Sequence, residues 1–269
     1  MTRANVSIER RDRVAIVTLQ RPEARNALSM ALAKDLLECL EELRDDEQIG
    51  AVVLSGAGGH FCAGGDIRAV GNNDRRTTEQ RLAALRTYHQ ICRVLQGYER
   101  PIVAAVDGVA FGAGFSLALL CDVVLVTPRT RMCMVFHKMG RIPDMAALYT
   151  LPRAVGTLKA KELILTAREV GGEEARQLGI ATELVDPERL SDRALEMAAA
   201  LSEGPSIATG ISKQILNQSL SIGFETLLQL ELTGQAAATS SEFAQEAVRR
   251  FLAKEPPQFH WPQPRSQAK

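Results

Sequence analysis

Aromatic side chains are scarce in this chain: eight Phe, three Tyr and one Trp among 269 residues, 4% of the whole. That is too few for the stacking platforms on which single-strand nucleic-acid binders depend. Charge of one sign is lacking as well. Lys and Arg number 32 and Asp and Glu 32, for a net charge of zero. This excludes a broad basic face and a nucleic-acid partner, leaving room only for a local patch that meets a phosphorylated ligand. The paired arginines Arg10-Arg11, Arg75-Arg76 and Arg249-Arg250 read as solvated faces. No apolar run is long enough for a membrane span, since the stretch 103–126 is interrupted by Asp107, Gly108, Gly112, Gly114 and Asp122. The first residues pass straight into an alternating strand pattern without an apolar leader, so a cytoplasmic protein with no membrane partner is expected. Cysteines are few and odd in number: Cys39, Cys62, Cys92, Cys121 and Cys133 form no CxxC pair. They read as small buried hydrophobes in a reducing compartment. His60, His89, His137 and His260 show no metal-ligand spacing, so no metal and no redox cofactor is expected.

What is present is ordinary globular material, 46% hydrophobic and 24% charged, with length enough to bury a large core without staples. The β-branched run 14–19 reads as a strand, and 6–9 alternates as its hairpin partner. Ser29 caps a helix whose Leu32, Leu36, Leu40 and Leu43 share one face. A short apolar strand follows at 51–55, and then a glycine-rich stretch at 56–65. Thr77 and Gln80 make a capping box for a long helix over 77–99 that carries Leu82, Leu85, Ile91, Cys92 and Leu95. Pro101 opens a strand at 102–106, a second glycine-rich turn at 108–114 leads into a helix at 115–121, and 123–126 is another core strand. Strands alternating with helices predict an α/β fold around a parallel or mixed sheet. From about Asp144 the pattern becomes mostly helical, ending with 206–253, and the proline-bearing tail from Lys254 is irregular. The organisation expected is a β/α core over 1–200 and an α-helical region with an irregular tail over 201–269.

Two turns attract chemical interest. The stretch beginning Gly56-Ala57-Gly58-Gly59-His60-Phe61 starts like a dinucleotide fingerprint, but Phe61 stands where the third glycine belongs, so that reading is rejected. Small residues at strand-to-helix turns let backbone N–H groups face a ligand, helped by the helix dipole. Two such turns could supply the two donors of an oxyanion hole for an enolate or tetrahedral oxyanion. Tight turns that merely connect strands to helices would look the same in the sequence.

The combination of Pro22-Glu23-Ala24-Arg25-Asn26-Ala27-Leu28, Phe61-Cys62-Ala63-Gly64-Gly65-Asp66-Ile67, Arg100-Pro101 with the stretch 104–122, Gly140-Arg141-Ile142-Pro143-Asp144 and Leu151-Pro152-Arg153-Ala154-Val155-Gly156 resembles the crotonase superfamily, the enoyl-CoA hydratase/isomerase family. The likeness runs in order over nearly the whole chain. It implies a crotonase-like spiral of ββα units, an α-helical C-terminal trimerisation region giving homo-trimers or hexamers, and acyl-CoA substrates of the kind met in fatty acid metabolism. Coenzyme A would arrive as part of the substrate. By the same resemblance, Gly65 and Ala113 match the residues whose N–H groups hold the thioester oxygen. Ala24, Arg25, Ala63, Asp66 and Ile67 match the segments along the CoA path, and Lys254 and Phe259 sit where the C-terminal region can approach a CoA. The loop 70–78 and the helix after it are expected to shape the acyl pocket.

The sequence departs from that family where hydration chemistry sits. Hydratases of this kind carry two glutamates that handle water, and the matching places here are Ser116 and Phe136, both expected at the acyl pocket. Neither can replace a carboxylate, and Phe136 would dry the pocket, so hydration of an enoyl-CoA is not expected. One acid remains, Asp144. Asp also favours helix N-caps, and Asp144 is read as cap of a helix over 145–151 and as base together. Its surroundings resemble the double-bond and ring-epoxide isomerases of the family, in which an acid here moves a proton between carbons. A carboxylate among Phe136, Ile142, Pro143 and Met145 would be desolvated, while an adjoining helix N-terminus would oppose the rise, so the sequence leaves the net pKa direction open. Tyr88-His89-Gln90 resembles a segment of 4-chlorobenzoyl-CoA dehalogenases, which would make Asp144 a nucleophile and His89 a base; a polar residue on a helix rim would look alike. A binding module without catalysis is the third alternative.

Overall fold

The computed structural model describes residues 3–68 and 76–263; most of the expected acyl-pocket loop lies outside them. Strand β1 (Val6–Arg11) folds back antiparallel on β2 (Val14–Leu19), pairing Val6 with Leu19 and Arg11 with Val14. Helix α1 (Met30–Asp45) follows; the Ser29 hydroxyl accepts the Leu32 N–H at 3.1 Å, and Leu32, Leu36, Leu40 and Leu43 are all fully buried. Strand β3 (Ala51–Gly56) then runs parallel to β2. Helix α2 (Thr78–Gln96) starts with the expected capping box at Thr77 and Gln80. It buries Ile91, Cys92 and Leu95, whereas Leu82 near its start is exposed.

Beyond α2 the chain lays each new strand pair into two layers. Strand β4 (Ile102–Val106) joins β3 in the large sheet, and β5 (Val109–Phe111) enters a second, smaller one. Helix α3 (Ala113–Leu119) closes that unit. The next unit repeats the move, with β6 (Val123–Val126) beside β4 and β7 (Arg131–Cys133) beside β5. Helices α4 (Ala147–Val155) and α5 (Thr157–Thr166) come next. Strand β8 (Glu169–Gly171) then pairs antiparallel with β7, helix α6 (Gly172–Gln177) follows it, and β9 (Glu183–Leu184) ends the large sheet in the order β1-β2-β3-β4-β6-β9. Isolated bridges, Leu28 to Gly65 and Cys62 to Ala110, continue the small layer backward past β5. This is the expected spiral, and every turn of it adds one rung to the small layer.

The inner strands of the large sheet, β3, β4 and β6, are apolar on both faces, as strands covered on both sides must be. Val52 and Leu54 of β3 join the main core beneath α1 and α2. Their neighbours Ala51 and Val53 point the other way, into a second core under α7 (Leu190–Ser202) with Leu190, Ala194, Met197 and Ala198. Beyond α7 the chain is helical: α8 (Ser206–Gln218), α9 (Phe224–Thr239) and α10 (Glu242–Ala253). Helix α8 is fastened to the core by Lys213, whose Nζ donates to the Arg100 carbonyl and meets the Asp122 carboxylate, each at 2.6 Å. The tail is irregular, and Trp261 packs on the second core.

Two expectations need correction. The stretch 108–114 is not one turn but holds β5 within it, and the helix after it begins at Ala113 rather than 115. The region after Asp144 is mostly helical as expected, with two short strands, β8 and β9, set within it. Strands of two or three residues are too short to show a period of two, so pairing, not pattern, creates them.

Candidate active site

The two glycine-rich turns are neighbours on successive rungs of the small layer. Cys62 donates its N–H to the Val109 carbonyl, and Phe111 donates to the Cys62 carbonyl, each at 2.9 Å. Glycine is required where the two backbones touch. Gly64 has φ +91°, and a β-carbon on it would stand 2.5 Å from the Phe111 oxygen; one on Gly114 would stand 2.1 Å from the Cys62 oxygen. The close approach brings the Gly64 Cβ direction to within 3.5 Å of the Ala113 nitrogen. Gly65, the next residue, is exposed, and its neighbours are held by the Leu28 N–H to Gly64 carbonyl bond at 2.7 Å and the Asp66 N–H to Leu28 carbonyl bond at 3.1 Å. Among the described residues neither the Gly65 nor the Ala113 N–H donates to a backbone oxygen. Two N–H groups on adjoining turns are therefore left without a backbone acceptor.

Asp144 is tied to α3, the helix that begins at Ala113, where the Ser116 hydroxyl donates to its carbonyl at 3.0 Å. Its carboxylate is largely buried, and Oδ1 is sealed from solvent with no hydrogen-bond partner. Burial raises its pKa to about 6, against the opposing influence of His89 and Arg141. Helix α2 passes close by: burial, and next the Asp144 charge, raise the pKa of the Tyr88 phenol and of the Cys92 thiol, the latter to about 11. The expected capping role is corrected. Met145 and Ala146 adopt the left-handed conformation at φ +47° and +61°, the helix begins only at Ala147, and its N-terminus has no side-chain cap. It is the Asp144 backbone carbonyl that accepts the Ala147 N–H, at 3.1 Å. The carboxylate is left without that duty.

The two residues at the hydratase glutamate places behave differently from one another. Phe136 lies in a 3-10 turn (Val135–Met139), and its ring faces Gly112, 3.5 Å from where a β-carbon there would sit. It fills the space beside the Ala113 turn with hydrocarbon. Ser116 is no open pocket wall: it is fully buried, and its hydroxyl donates to the Asp144 carbonyl at 3.0 Å.

The segments expected along the CoA path meet at one edge, where the Ala63 N–H donates to the Arg25 carbonyl at 2.9 Å. Ala24 closes a 3-10 turn (Pro22–Ala24), Arg25 is exposed at φ +49°, and Ile67 is exposed. Asp66 differs, because its carboxylate is held by the Arg21 guanidinium at 2.8 Å. Lys254 and Phe259 are not brought to this edge within the chain: Lys254 is exposed at the end of α10, and Phe259 lies over Gly204 between α7 and α8. His89 is exposed on α2. Among the described residues no group of three or more His, Cys, Asp or Glu could hold a metal ion, and no helix is long and apolar enough to cross a membrane.

Sequence reasoning missed two residues that organise this site. Tyr88 donates its hydroxyl to the Leu28 carbonyl at 3.1 Å, bracing the segment that carries Gly65. Asn26 is fully buried at φ +56° and donates to the carbonyls of Ala57 at 2.9 Å and His60 at 2.7 Å, tying the first turn together. The available signal for Tyr88 was its spacing, four residues before Cys92 and seven before Leu95 on one helix face. For Asn26 it was the tolerance of Asn for positive φ.

Comparison with known proteins gives the family and the fold. The pattern of the enoyl-CoA hydratase/isomerase family matches residues 9–262. A protein named 1,2-epoxyphenylacetyl-CoA isomerase from Escherichia coli K12 is 35% identical over 252 residues, 91% of this chain and 94% of its own. A short-chain-enoyl-CoA hydratase from Clostridium acetobutylicum is 32% identical, over 93% of this chain and 95% of its own. A 4-chlorobenzoyl coenzyme A dehalogenase from Arthrobacter is 31% identical, over 93% and 91%. A solved enoyl-CoA hydratase/isomerase structure from Cupriavidus metallidurans CH34 matches with a TM-score of 0.94 at 36% identity, over 98% of this chain and 100% of the other. The spiral, the paired donor turns and these matches together place the chain in the enoyl-CoA hydratase/isomerase family of the crotonase superfamily, which works on acyl-CoA thioesters.

Proposed function

We propose that the protein shifts a carbon–carbon double bond in an acyl-CoA thioester. One observation carries this: a single buried carboxylate, Asp144, with an unpartnered oxygen and a pKa raised to about 6, stands where the two water-handling glutamates are replaced by Ser116 and Phe136. The thioester oxygen accepts the Gly65 and Ala113 N–H groups. Asp144 takes a proton from the carbon next to the thioester carbonyl of a 3-enoyl-CoA, and the C–H electron pair moves into a dienolate whose negative charge rests on the held oxygen. The same carboxyl then returns the proton to the far carbon, and the double bond stands between C2 and C3. One acid suffices because the proton only changes carbon. A pKa near 6 suits the task, leaving the group ionised at neutral pH yet acidic enough once protonated to give the proton back. The relative named as an isomerase supports the reading.

A second reading rests on His89, which lies near enough to Asp144 to influence its carboxylate. Here Asp144 attacks the halogen-bearing carbon of an aryl-CoA ring, halide leaves, and His89 takes a proton from the water that hydrolyses the ester. The test is to incubate the protein with 3-enoyl-CoA in D2O and follow both deuterium entry and double-bond migration, with halide release from 4-chlorobenzoyl-CoA as the parallel arm. Exchange with migration supports the isomerase. Halide release supports the second reading, and acyl-CoA binding with neither reaction supports a binding module. The assembly proposed is a homo-trimer or hexamer through α8–α10, which leave Leu216, Leu220, Phe224, Leu232, Phe251 and Leu252 largely exposed.

A further inference from the structure

One buried hydroxyl links the two halves of the candidate site. Ser116 lies one turn into α3, the helix whose first residue is Ala113. Its Oγ stands 3.0 Å from the Asp144 carbonyl oxygen and 3.2 Å from that of Gly112. Each carbonyl also accepts a backbone N–H, that of Ser116 on Gly112 and that of Ala147 on Asp144, and the hydroxyl lies nearer the Asp144 oxygen. Beyond Asp144 the backbone takes two successive left-handed residues, Met145 and Ala146, neither of them glycine. Such backbone persists only where its surroundings over-determine it. What holds this turn is the burial of Met145, the Ala147 N–H on the Asp144 carbonyl, and the Ser116 hydroxyl on the same oxygen.

We infer that Ser116 is a positioning residue: by gripping the Asp144 carbonyl it locks the strained turn to α3 and fixes the carboxylate relative to the Ala113 donor. The inference rests on the reading of Asp144 as the base. The ionisable groups facing that carboxylate are Tyr88, His89 and Cys92 from α2 and Arg141 from its own loop. Helix α3, Ala-Gly-Phe-Ser-Leu-Ala-Leu, contributes none. A change at Ser116 therefore reaches Asp144 through position and solvation, not through charge.

The test is Ser116→Ala in the full-length protein. The Asp144 carbonyl keeps the Ala147 N–H, so the variant is expected to fold and to bind acyl-CoA as the parent does. Proton exchange should fall about tenfold in kcat with KM unchanged, the size of one lost hydrogen bond expressed in a transition state. Titration of the aspartate carboxyls by carbon-13 NMR, with Asp144 assigned by its loss in Asp144→Asn, should show its midpoint falling by about one pH unit toward the ordinary value of about 3.9 as water reaches the loosened turn. Ser116→Cys keeps a group of similar shape with only a weak donor and should show both changes at smaller size. A folded variant of either kind with parental kcat and parental midpoint overturns the inference. Failure of the isomerase reading looks different: exchange would survive in Asp144→Asn, while the titration arm would still decide the role of Ser116.

Discussion

Replacing Asp144 by Asn separates catalysis from stability with opposite signs. The carboxyl titrates at about 6 in the folded protein, against about 3.9 for an unperturbed Asp. Folded and unfolded midpoints that lie about two pH units apart correspond to about 3 kcal/mol, and the sign follows from where the protons sit. Below about pH 4 the group is protonated in both states and costs nothing. Between about pH 4 and 6 the unfolded chain has released its proton and the folded one has not, so stability declines as pH rises. Above about pH 6 the full cost stands. Asp144→Asn lacks that titration, so relative to the variant the parent should lose on the order of 3 kcal/mol between about pH 4 and pH 7. Part of this is offset at all pH values by the cost of burying an amide where Oδ1 has no partner. Proton exchange should meanwhile fall by at least about a hundredfold, as for loss of a general base. Parental exchange should itself rise through an acid limb near pH 6 and then level off, since the ionised form is the base. Urea unfolding across pH and deuterium incorporation measure the two effects. Retention of exchange by Asp144→Asn, or a parent and variant whose stabilities run parallel across pH, would refute the reasoning.

Further expectations are open to direct measurement. Crotonyl-CoA should be hydrated very poorly, because Ser116 and Phe136 carry no carboxylate; loss of the enoyl absorbance at hundreds of turnovers per second, on the order of an efficient enzyme, contradicts this. Gly64→Ala should damage both fold and activity, since its β-carbon meets the Phe111 oxygen at 2.5 Å on a φ of +91°. A thermal midpoint unchanged from the parent would show that the two turns do not need their close contact. Light scattering at micromolar concentration should give a trimer or hexamer, and charged replacements at Phe251 and Leu252 should break it down; a parental monomer contradicts the proposed assembly.

Much of this molecule is decided locally. The hairpin of β1 and β2, the Ser29 cap, the capping box of α2 and the apolar face of α1 follow from short-range pattern, because each depends on neighbours three or four residues away or on strict alternation. The family follows from the ordered motifs, and with it the spiral. The family resemblance likewise sets Ser116 and Phe136 at the places of the hydratase glutamates. Other features arise only when distant segments meet. Strands β7, β8 and β9 are too short to carry a period and exist through their partners. The pKa direction of Asp144 depended on whether burial or a helix terminus prevailed, and the sequence placed both beside it. The fold decides for burial by inserting two left-handed residues after Asp144, so that the helix begins too late for its side chain to cap. The same holds for Ser116, which by sequence is a lost catalytic position. Only the tertiary fold, bringing α3 against a turn 28 residues further along the chain, makes its hydroxyl the contact that ties Asp144 to that helix.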